Sequence, residues 1–400
     1  MRPFDGRRVL VGVSGGIAAY KTAELVRRLI GAGADVKVIL TDSGARFVGP
    51  VTFEGLTGNP VHRSLWEGAL QHIELGRWAD AIIVAPATAN LLAKLANGMA
   101  DDLLSTTLLA APRRALLAPA MNHRMYEHPA TRRNLEALRE FGHQIVGPAY
   151  GELAEREEGW GRMVEPDVLL AHVGRDLEGS SRWRGKRVVV TAGPTWEPVD
   201  AVRFLGNRSS GRMGQALAAA AWRRGADVVL IRGPAREPAP PWLSDVRQVK
   251  TAQEMGDELT EAVREAAALF MAAAVADFRP VAPSAEKIRR SSGMESIAVE
   301  SCPDLLALAS HAAPADCVRV AFAVELGRGA LESAKRKLSE KGADLIVLND
   351  PSEPGAAFDV ETNRVTIIDS KGASEELPLM LKSEVADAIL DRSEGLLAGE

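Results

Sequence analysis

Small residues after the first apolar run are the clearest candidates for chemistry. Residues 9–13 form that run, Ser14, Gly15 and Gly16 follow it, and helix-forming residues come next, which predicts a strand, a tight turn and a helix. Glycines let the backbone approach a ligand, and the N–H groups that begin the helix favour an anion. The spacing is not that of G-x-G-x-x-G. The turn could therefore form a phosphate site or be an ordinary turn between a strand and a helix.

Ionisable side chains form a second group of candidates. His72 precedes a predicted strand, where it could act as a base or, as most single histidines do, pack structurally. Residues 209–211, Ser-Ser-Gly, begin a predicted helix and could bind an anion or simply cap it. Asp277 follows a strand, and Lys337 and Lys341 share one helix face, which is ordinarily a solvated surface.

Alternating strands and helices must position these side chains. The predicted elements of the first half are strands 9–13, 35–40, 81–84 and 115–118 and helices 22–30, 91 onward and 167–177. Those of the second half are strands 187–190, 227–231, 269–273, 318–323 and 344–348, an edge strand 364–369, and helices 213–224, 252–268 and 330–339. The alternation predicts an α/β protein of two doubly wound, Rossmann-like domains, residues 1–178 and 185–400, joined by a polar linker 179–184.

Composition narrows the functional classes. The 400 residues are 46% hydrophobic and 25% charged with a net charge of −5, which predicts a globular protein with no general attraction to nucleic acid or an anionic membrane. Two cysteines, Cys302 and Cys317, cannot form a disulfide framework or a cysteine-rich metal site. The chain has no signal-peptide profile or membrane-length apolar run, so we expect it in the cytoplasm.

Four motifs of the first half occur together and in one order: 15–16 (GG), 86–90 (PATAN), 98–106 (GMADDLLST) and 119–125 (PAMNHRM). Over about residues 7–176 they resemble the flavin-dependent cysteine decarboxylase family. The resemblance implies a flavodoxin-like flavoprotein domain with His72 beside the flavin as base and Asn122 on the substrate carboxylate. It implies that FMN is bound by Ser14, Gly15, Gly16, Thr41, Ser43, Thr88, Ser105 and Thr106.

One position departs from that family. Its members use a cysteine as proton donor before the sequence G-x-G-R-M, and this chain has Glu155 there. A glutamic acid can donate a proton, but at neutral pH it is mostly ionised unless its environment raises its pKa. Glu155 could therefore replace the cysteine, or the domain could stop at the oxidised enethiol, or it could no longer turn over.

The second half, about residues 185–392, resembles the phosphopantothenate–cysteine ligase family through 191–200, 203–214, 272–278 and 286–288. The resemblance implies a C-terminal ligase domain in which CTP activates phosphopantothenate and cysteine then displaces CMP. Lys287 would neutralise the α-phosphate, Asn207 would handle the acyl intermediate, and Asp277 would hold Mg²⁺. The implied nucleotide-binding residues are Met271, Ala272, Ala273, Asp277, Lys287, Pro303, Asp304, Leu305, Leu306, Phe322, Lys337 and Lys341.

The order of the two halves resembles the bifunctional family of coenzyme A biosynthesis. The implied partners are phosphopantothenate, cysteine, CTP and phosphopantothenoylcysteine, with no nucleic acid or membrane. The implied homo-oligomer has trimeric contacts in the first domain and dimeric contacts in the second. The alternatives are a ligase fused to a flavodomain that acts on another thiol, performs only oxidative decarboxylation, or serves as a non-catalytic module.

Overall fold

The computed structural model describes residues 3–154, 156–178, 181–289, 296–324, 329–350, 352, 355 and 359–397. The chain divides into two compact units, residues 1–179 and 180–400. Each unit has buried apolar clusters on both faces of its main sheet. This is the two-layer covering that a parallel sheet requires, because both of its faces must be shielded from water.

The first unit alternates strands and helices as predicted. Its strands are β1 (Arg8–Val13), β2 (Asp35–Leu40), β3 (Val61–His62), β4 (Ala81–Ala87), β5 (Leu116–Pro119), β6 (Gln144–Ile145), β7 (Ala149–Glu152) and β8 (Glu158–Arg162). Its α-helices are α1 (Ala19–Gly31), α2 (Pro50–Thr57), α3 (Gln71–Trp78), α4 (Ala89–Ala96), α5 (Leu103–Ala110), α6 (His123–Glu127), α7 (Pro129–Glu140) and α8 (Pro166–Glu178).

Six of these strands form one parallel sheet in the order β3-β2-β1-β4-β5-β6. This is the order of the Rossmann fold, and the resemblance to flavodoxin, whose order is 2-1-3-4-5, is confined to the doubly wound parallel architecture. β1 and β4 lie side by side at the centre, and every residue of β4 is buried. The strand order changes direction between them, so their carboxyl ends open the crevice in which such sheets bind ligands.

The second unit repeats the pattern. Its strands are β9 (Arg187–Ala192), β10 (Trp196–Pro198), β11 (Phe204–Gly206), β12 (Asp227–Arg232), β13 (Asp245–Gln248), β14 (Ala268–Met271), β15 (Phe278–Pro280), β16 (Val299–Ser301), β17 (Val318–Val324), β18 (Leu345–Asn349), β19 (Thr362–Asn363), β20 (Val365–Asp369), β21 (Ser374–Glu376) and β22 (Met380–Leu381). Its α-helices are α9 (Arg212–Arg223), α10 (Ala252–Ala262), α11 (Leu305–Ala312), α12 (Ala330–Glu340) and α13 (Lys382–Glu394).

The main sheet of this unit has the order β13-β12-β9-β14-β17-β18-β20-β21. The first six strands are parallel and follow the Rossmann order again, while β20 and β21 add an antiparallel hairpin. The prediction of an α/β protein with two doubly wound domains is therefore confirmed.

Three local predictions need correction. The helix predicted over 252–268 ends at Ala262, because the chain must become extended by Ala268 to join β9 and β17. The strand predicted at the sheet edge, β20, is covered by β21, which the charged sequence of 374–376 concealed. Within the predicted linker, Trp183 is fully buried against Phe270, so this part of the chain packs into the second unit.

Candidate active sites

A cavity of about 840 Å³ opens at the carboxyl edge of the first sheet. Its walls are the turn after β1, the segment after β2, the start of α4, the segment after β5 and the hairpin of β7 and β8. Its volume lies within the range of small-molecule and cofactor sites, about 300–1,000 Å³. The predicted residues that line it are Ser14, Gly15, Gly16, Thr41, Ser43, Thr88 and Asn122.

The turn after β1 is held in place by hydrogen bonds to the next central strand. Ser14 Oγ donates to the Pro86 carbonyl at 2.7 Å and accepts from Thr88 N–H at 3.1 Å. A Cβ placed on Gly15 would lie 2.3 Å from Cβ of Ser43, so only glycine fits there. The turn leads into α1, whose 13 residues present their amino end to the cavity wall, and this arrangement suits an anionic group.

Asn122 and the β7–β8 hairpin form another wall of the cavity. Asn122 Oδ1 accepts from Arg124 N–H at 2.8 Å and so caps α6, which fixes the orientation of its amide. Gly161 O accepts from Met121 N–H at 3.0 Å, and a Cβ on Gly161 would meet Met121 O at 2.2 Å. Glu155 lies outside the described residues. Ala154, its neighbour, lines the cavity.

Three predicted residues lie elsewhere. Ser105 is fully buried in a capping box with Asp102, and Thr106 Oγ1 donates to the Asp102 carbonyl at 2.7 Å. Both hydroxyls therefore shape the start of α5 and are not in the cavity wall, which Asp102 itself reaches. His72, on the first turn of α3, is also not among the described residues that line this cavity.

Two lysines in the cavity wall escaped the sequence analysis. Lys94 forms ion pairs with Asp101 at 2.7 Å and Asp102 at 2.8 Å. Burial lowers the pKa of Lys94, but its hydrogen bonds to both carboxylates outweigh burial and raise that pKa above its usual range. Burial raises the pKa of Asp102, but the hydrogen bonds from Lys94 and Ser105 outweigh it and hold that pKa below its usual range. The pair is therefore charged at neutral pH.

Lys21 is the second lysine, and it is almost completely buried. Its Nζ donates to the Met163 carbonyl at 3.1 Å and to Glu165 at 2.8 Å, which ties α1 to the segment after the β8 strand. The signal in the sequence was the position of Lys21, one helical turn before Leu25 on the buried face of α1. A lysine on an apolar face needs a buried partner, but the sequence does not say which one.

The second site lies at the carboxyl ends of β9 and β14. Thr195 Oγ1 accepts from Ala276 N–H at 2.9 Å, and Thr191 Oγ1 accepts from Ala273 N–H at 3.2 Å. Asn207 Nδ2 donates to the Val275 carbonyl at 2.8 Å. The structure thereby brings Asn207 to the segment that carries Met271, Ala272, Ala273 and Asp277.

A second group of predicted residues joins this edge through Asp277. Its carbonyl accepts from Cys302 N–H at 2.9 Å, and Pro303 and Asp304 follow. Asp304 caps α11 through Leu306 N–H at 3.1 Å and lies 3.8 Å from Lys341 Nζ. Leu305 and Leu306 are buried core residues, so they can offer a ligand only their backbone.

The remaining predicted residues differ in exposure. Lys337 and Phe322 are partly buried, on α12 and β17, whereas Asp277 and Lys287 are exposed. No group of three or more His, Cys, Asp or Glu side chains that could hold a metal is found in the part of the chain that the structure describes. Asp277 therefore has no preformed protein cluster for Mg²⁺ within the described residues.

Comparison with known proteins agrees with this two-part arrangement. Residues 2–177 match the family model "Flavoprotein", and residues 183–396 match "DNA/pantothenate metabolism flavoprotein C-terminal domain". The coenzyme A biosynthesis bifunctional protein CoaBC of Bacillus subtilis is 42% identical over 393 residues, which cover 97% of this chain and 96% of that protein. The CoaBC protein of Escherichia coli K12 is 42% identical over 399 residues, which cover 96% of each.

The chain belongs to the family of coenzyme A biosynthesis bifunctional proteins. Like the other members of this family, it is a bifunctional enzyme with a flavoprotein domain followed by a ligase domain. The crystal structure of a CoaBC C-terminal domain aligns with a TM-score of 0.46 at 35% identity and covers 55% of this chain and 98% of that one. A PPC decarboxylase mutant complexed with pantothenoylaminoethenethiol aligns with a TM-score of 0.39 at 33% identity, covering 42% and 96%.

The described helices include none that is long and apolar enough to cross a membrane.

Proposed function

We propose that the second domain joins 4'-phosphopantothenate to cysteine with CTP and that the first domain decarboxylates the phosphopantothenoylcysteine with FMN. The observation that supports this most strongly is the match to CoaBC proteins over nearly the whole chain, together with a cavity lined by the glycine turn at the carboxyl edge of the first sheet. We place this reaction in the cytoplasm.

The residues around the first cavity fit FMN. The turn at Gly15 leaves no room for a side chain, so backbone N–H groups can face the phosphate, and the start of α1 favours its charge. Ser14, Thr41, Ser43 and Thr88 would hold the phosphate and ribityl chain. Bound FMN supplies hydride transfer, which oxidises the substrate at its thiol-bearing carbon and later reverses that oxidation.

The chain's own residues orient the substrate and move protons. The amide of Asn122, fixed by its bond to Arg124 N–H, donates to the substrate carboxylate. His72 takes the thiol proton, and Glu155 returns a proton in the second half of the reaction.

His72 requires a second copy of the chain for this role. It is not at the cavity of its own chain, and the preceding residues Trp66 and Leu70 expose 90% and 58% of their surface. Trp66 and Leu70 are four residues apart, and exposed apolar side chains that form one patch mark an interface. A trimer of the first domain would cover them and bring His72 to a neighbouring cavity, while the second domain would dimerise.

In the second domain Lys287 neutralises the charge that develops on the α-phosphate when the phosphopantothenate carboxylate attacks. Asn207 orients the acyl-cytidylate for attack by the amine of cysteine. Lys337 and Lys341 would meet the triphosphate. Asp277 would help to hold Mg²⁺, which would supply positive charge at the phosphates. The backbone of residues 271–273 and 303–306, together with Phe322, forms the nucleotide site.

One incubation tests the whole proposal. The protein is mixed with phosphopantothenate, cysteine, CTP and Mg²⁺, and the products are identified by mass; 4'-phosphopantetheine and CMP are expected. Lys287→Gln is expected to abolish CMP formation while the protein stays folded. A wild-type protein that forms no phosphopantothenoylcysteine, or makes it equally well with ATP, would contradict the ligase half of the proposal.

A second candidate function is favoured by Glu155, which stands in place of the family's cysteine. In this alternative the ligase is active, and the flavodomain either has only a structural role or performs only the oxidative decarboxylation. The same incubation separates these outcomes: an oxidised enethiol indicates the half reaction, and a yellow protein that releases no carbon dioxide indicates a structural flavodomain.

A further inference from the structure

Lys287 is exposed, but the residue that follows it is held through both of its backbone groups. Ile288 N–H donates to Asp200 Oδ2 at 3.2 Å, and the Ile288 carbonyl accepts from Arg203 Nη2 at 2.7 Å. Two polar contacts on one residue fix its peptide planes. The backbone of Lys287, one bond away, is therefore restrained although its side chain projects into solvent.

Asp200 is the centre of this arrangement. Its side chain has no exposed surface, and its Oδ1 accepts from the N–H groups of Val202 and Arg203, each at 2.8 Å. Burial raises the pKa of Asp200, but the hydrogen bonds from Val202, Arg203 and Ile288 outweigh it and hold the pKa below its usual range. Oδ1 thus stabilises the local turn, and Oδ2 accepts from the Ile288 N–H of another segment.

The same turn also leads to Asn207. Residues 199–203 connect β10 to β11, which pair antiparallel with Trp196 opposite Gly206. Asn207 directly follows this hairpin and donates to the Val275 carbonyl at 2.8 Å. The hairpin therefore leads directly into Asn207. It also restrains the segment of Lys287, because Asp200 accepts from the Ile288 N–H.

A further hydrogen bond joins this turn to residues 284–288, the segment that contains Lys287. Ser284 N–H donates to the Val199 carbonyl at 3.0 Å, so hydrogen bonds join the turn to this segment on both sides of Lys287.

We propose that Asp200 is a positioning residue of the ligase, which holds Lys287 at the α-phosphate of the nucleotide and in register with Asn207. The inference rests on the proposed ligase function. Asp200 touches no substrate in this role; it acts through the backbone of Ile288. A fixed backbone at Lys287 limits the positions that its ammonium group can take, and misplacement by about 1 Å can cost up to 100-fold in rate.

Asp200→Asn separates the two roles of the carboxylate. The remaining Oδ1 can still accept from Val202 and Arg203, whereas the new NH₂ group would face the N–H of Ile288 and repel it. We expect kcat for pyrophosphate release from CTP and phosphopantothenate to fall roughly 10-fold to 100-fold, with KM for CTP changed by less than about threefold.

Asp369→Asn is the matched control. Asp369 also forms a turn by accepting two backbone N–H groups, from Lys371 and Ala373, but it lies in the β20–β21 hairpin. It is expected to leave kcat unchanged. Arg203→Lys is a second test. It leaves the Asp200 turn in place but removes the guanidinium donor to the Ile288 carbonyl, so it should also lower kcat.

Limited trypsin digestion supplies a readout that is independent of activity. Cleavage after Lys287 requires the Ile288 N–H to leave Asp200, so Asp200→Asn should be cut there faster than wild type and Asp369→Asn should not. Faster cleavage with unchanged kcat, or unchanged cleavage, would overturn the inference alone. Wild-type enzyme that releases no pyrophosphate would overturn the proposed function and the inference together.

Discussion

Gly15 has little steric freedom in the proposed FMN site. A methyl group there would lie 2.3 Å from Cβ and 2.9 Å from the carbonyl carbon of Ser43. The obstacle includes backbone, which cannot swing aside as a flexible side chain can. The two loops that carry Gly15 and Ser43 would have to separate, and both line the cavity.

Gly15→Ala is therefore expected to lose bound flavin. Overpacking of this kind costs about 1–3 kcal/mol, which corresponds to roughly a 5-fold to 150-fold weaker affinity if the loops open only to relieve the clash. Flavin content of the purified protein and titration of the apoprotein with FMN measure it. Gly31→Ala, at the end of α1 where a Cβ would meet nothing within 4 Å, is the control and should bind FMN normally. Equal affinity in both variants would contradict the assignment of this turn.

His172 makes the stability of the first domain depend on pH. Burial, with a smaller contribution from Arg175, lowers the pKa of His172 to about 4 from an ordinary 6.5. The unfolded chain then binds a proton at higher pH than the folded one, so stability falls as pH decreases from about 6.5 towards 4. His172→Gln should reduce this decrease, measured by chemical denaturation across the range. A parallel decrease in both proteins would show that other groups cause it.

At the scale of elements, α1 connects the two ends of the cavity. Its amino end carries the turn after β1, and Lys21 on its first turns holds the segment after β8 through Met163 and Glu165. Thr22 Oγ1 also donates to the Ala85 carbonyl at 2.6 Å, which fixes α1 against β4. The helix therefore links the turn after β1 to the segment that follows the β7–β8 hairpin, and both line the cavity.

Lys21→Met is expected to weaken this coupling. It leaves the buried Met163 carbonyl without a donor, a loss of about 1–3 kcal/mol in the free energy of unfolding of the first domain. Thermal unfolding and FMN affinity should both fall, while CMP formation by the second domain should not change. Arg27→Met is the control, because Arg27 is exposed on the same helix and pairs only with Glu24 among the described contacts. Similar losses in both variants would contradict the role of Lys21.

At the scale of the whole molecule, the second unit begins earlier than the sequence indicates. Trp183 is fully buried in its core, and Arg182 donates to Glu394 and to the Leu397 carbonyl at 2.7 Å. These contacts join the start of the unit to its last helix. The residues before β9 are consequently part of the fold of the second unit.

A fragment of residues 181–400 is expected to fold and to form CMP. A fragment that starts at residue 186 lacks Trp183 and should be less stable by about 3–5 kcal/mol, the usual cost of removing a buried tryptophan side chain. Circular dichroism during heating compares the two. Equal melting temperatures would show that Trp183 does not contribute to the core of the isolated domain.

The sequence by itself determined the α/β class, the two repeats and the positions of most central strands. Short β-branched runs that alternate with amphipathic helices and glycine turns encode these features locally, because strand, turn and helix preferences depend on nearby residues. The motif around Gly15 and the segments with Asn122, Asn207 and Asp277 were likewise visible, since strand ends of a parallel sheet converge at one edge.

Only the tertiary structure decided which side chains are available at that edge. Ser105 is buried in the cap of α5 and Thr106 donates to the Asp102 carbonyl, His72 is not among the described residues that line the cavity, and Lys21 bonds to Met163 far along the sequence. The burial of Trp183 against Phe270 was hidden for the same reason as the Lys21 contact, whereas the charged sequence of 374–376 concealed the pairing of β21 with β20. The Ser105 cap and the β20–β21 hairpin are short-range contacts, but Lys21 with Met163 and Trp183 with Phe270 join distant segments, and local propensity carries no information about those contacts.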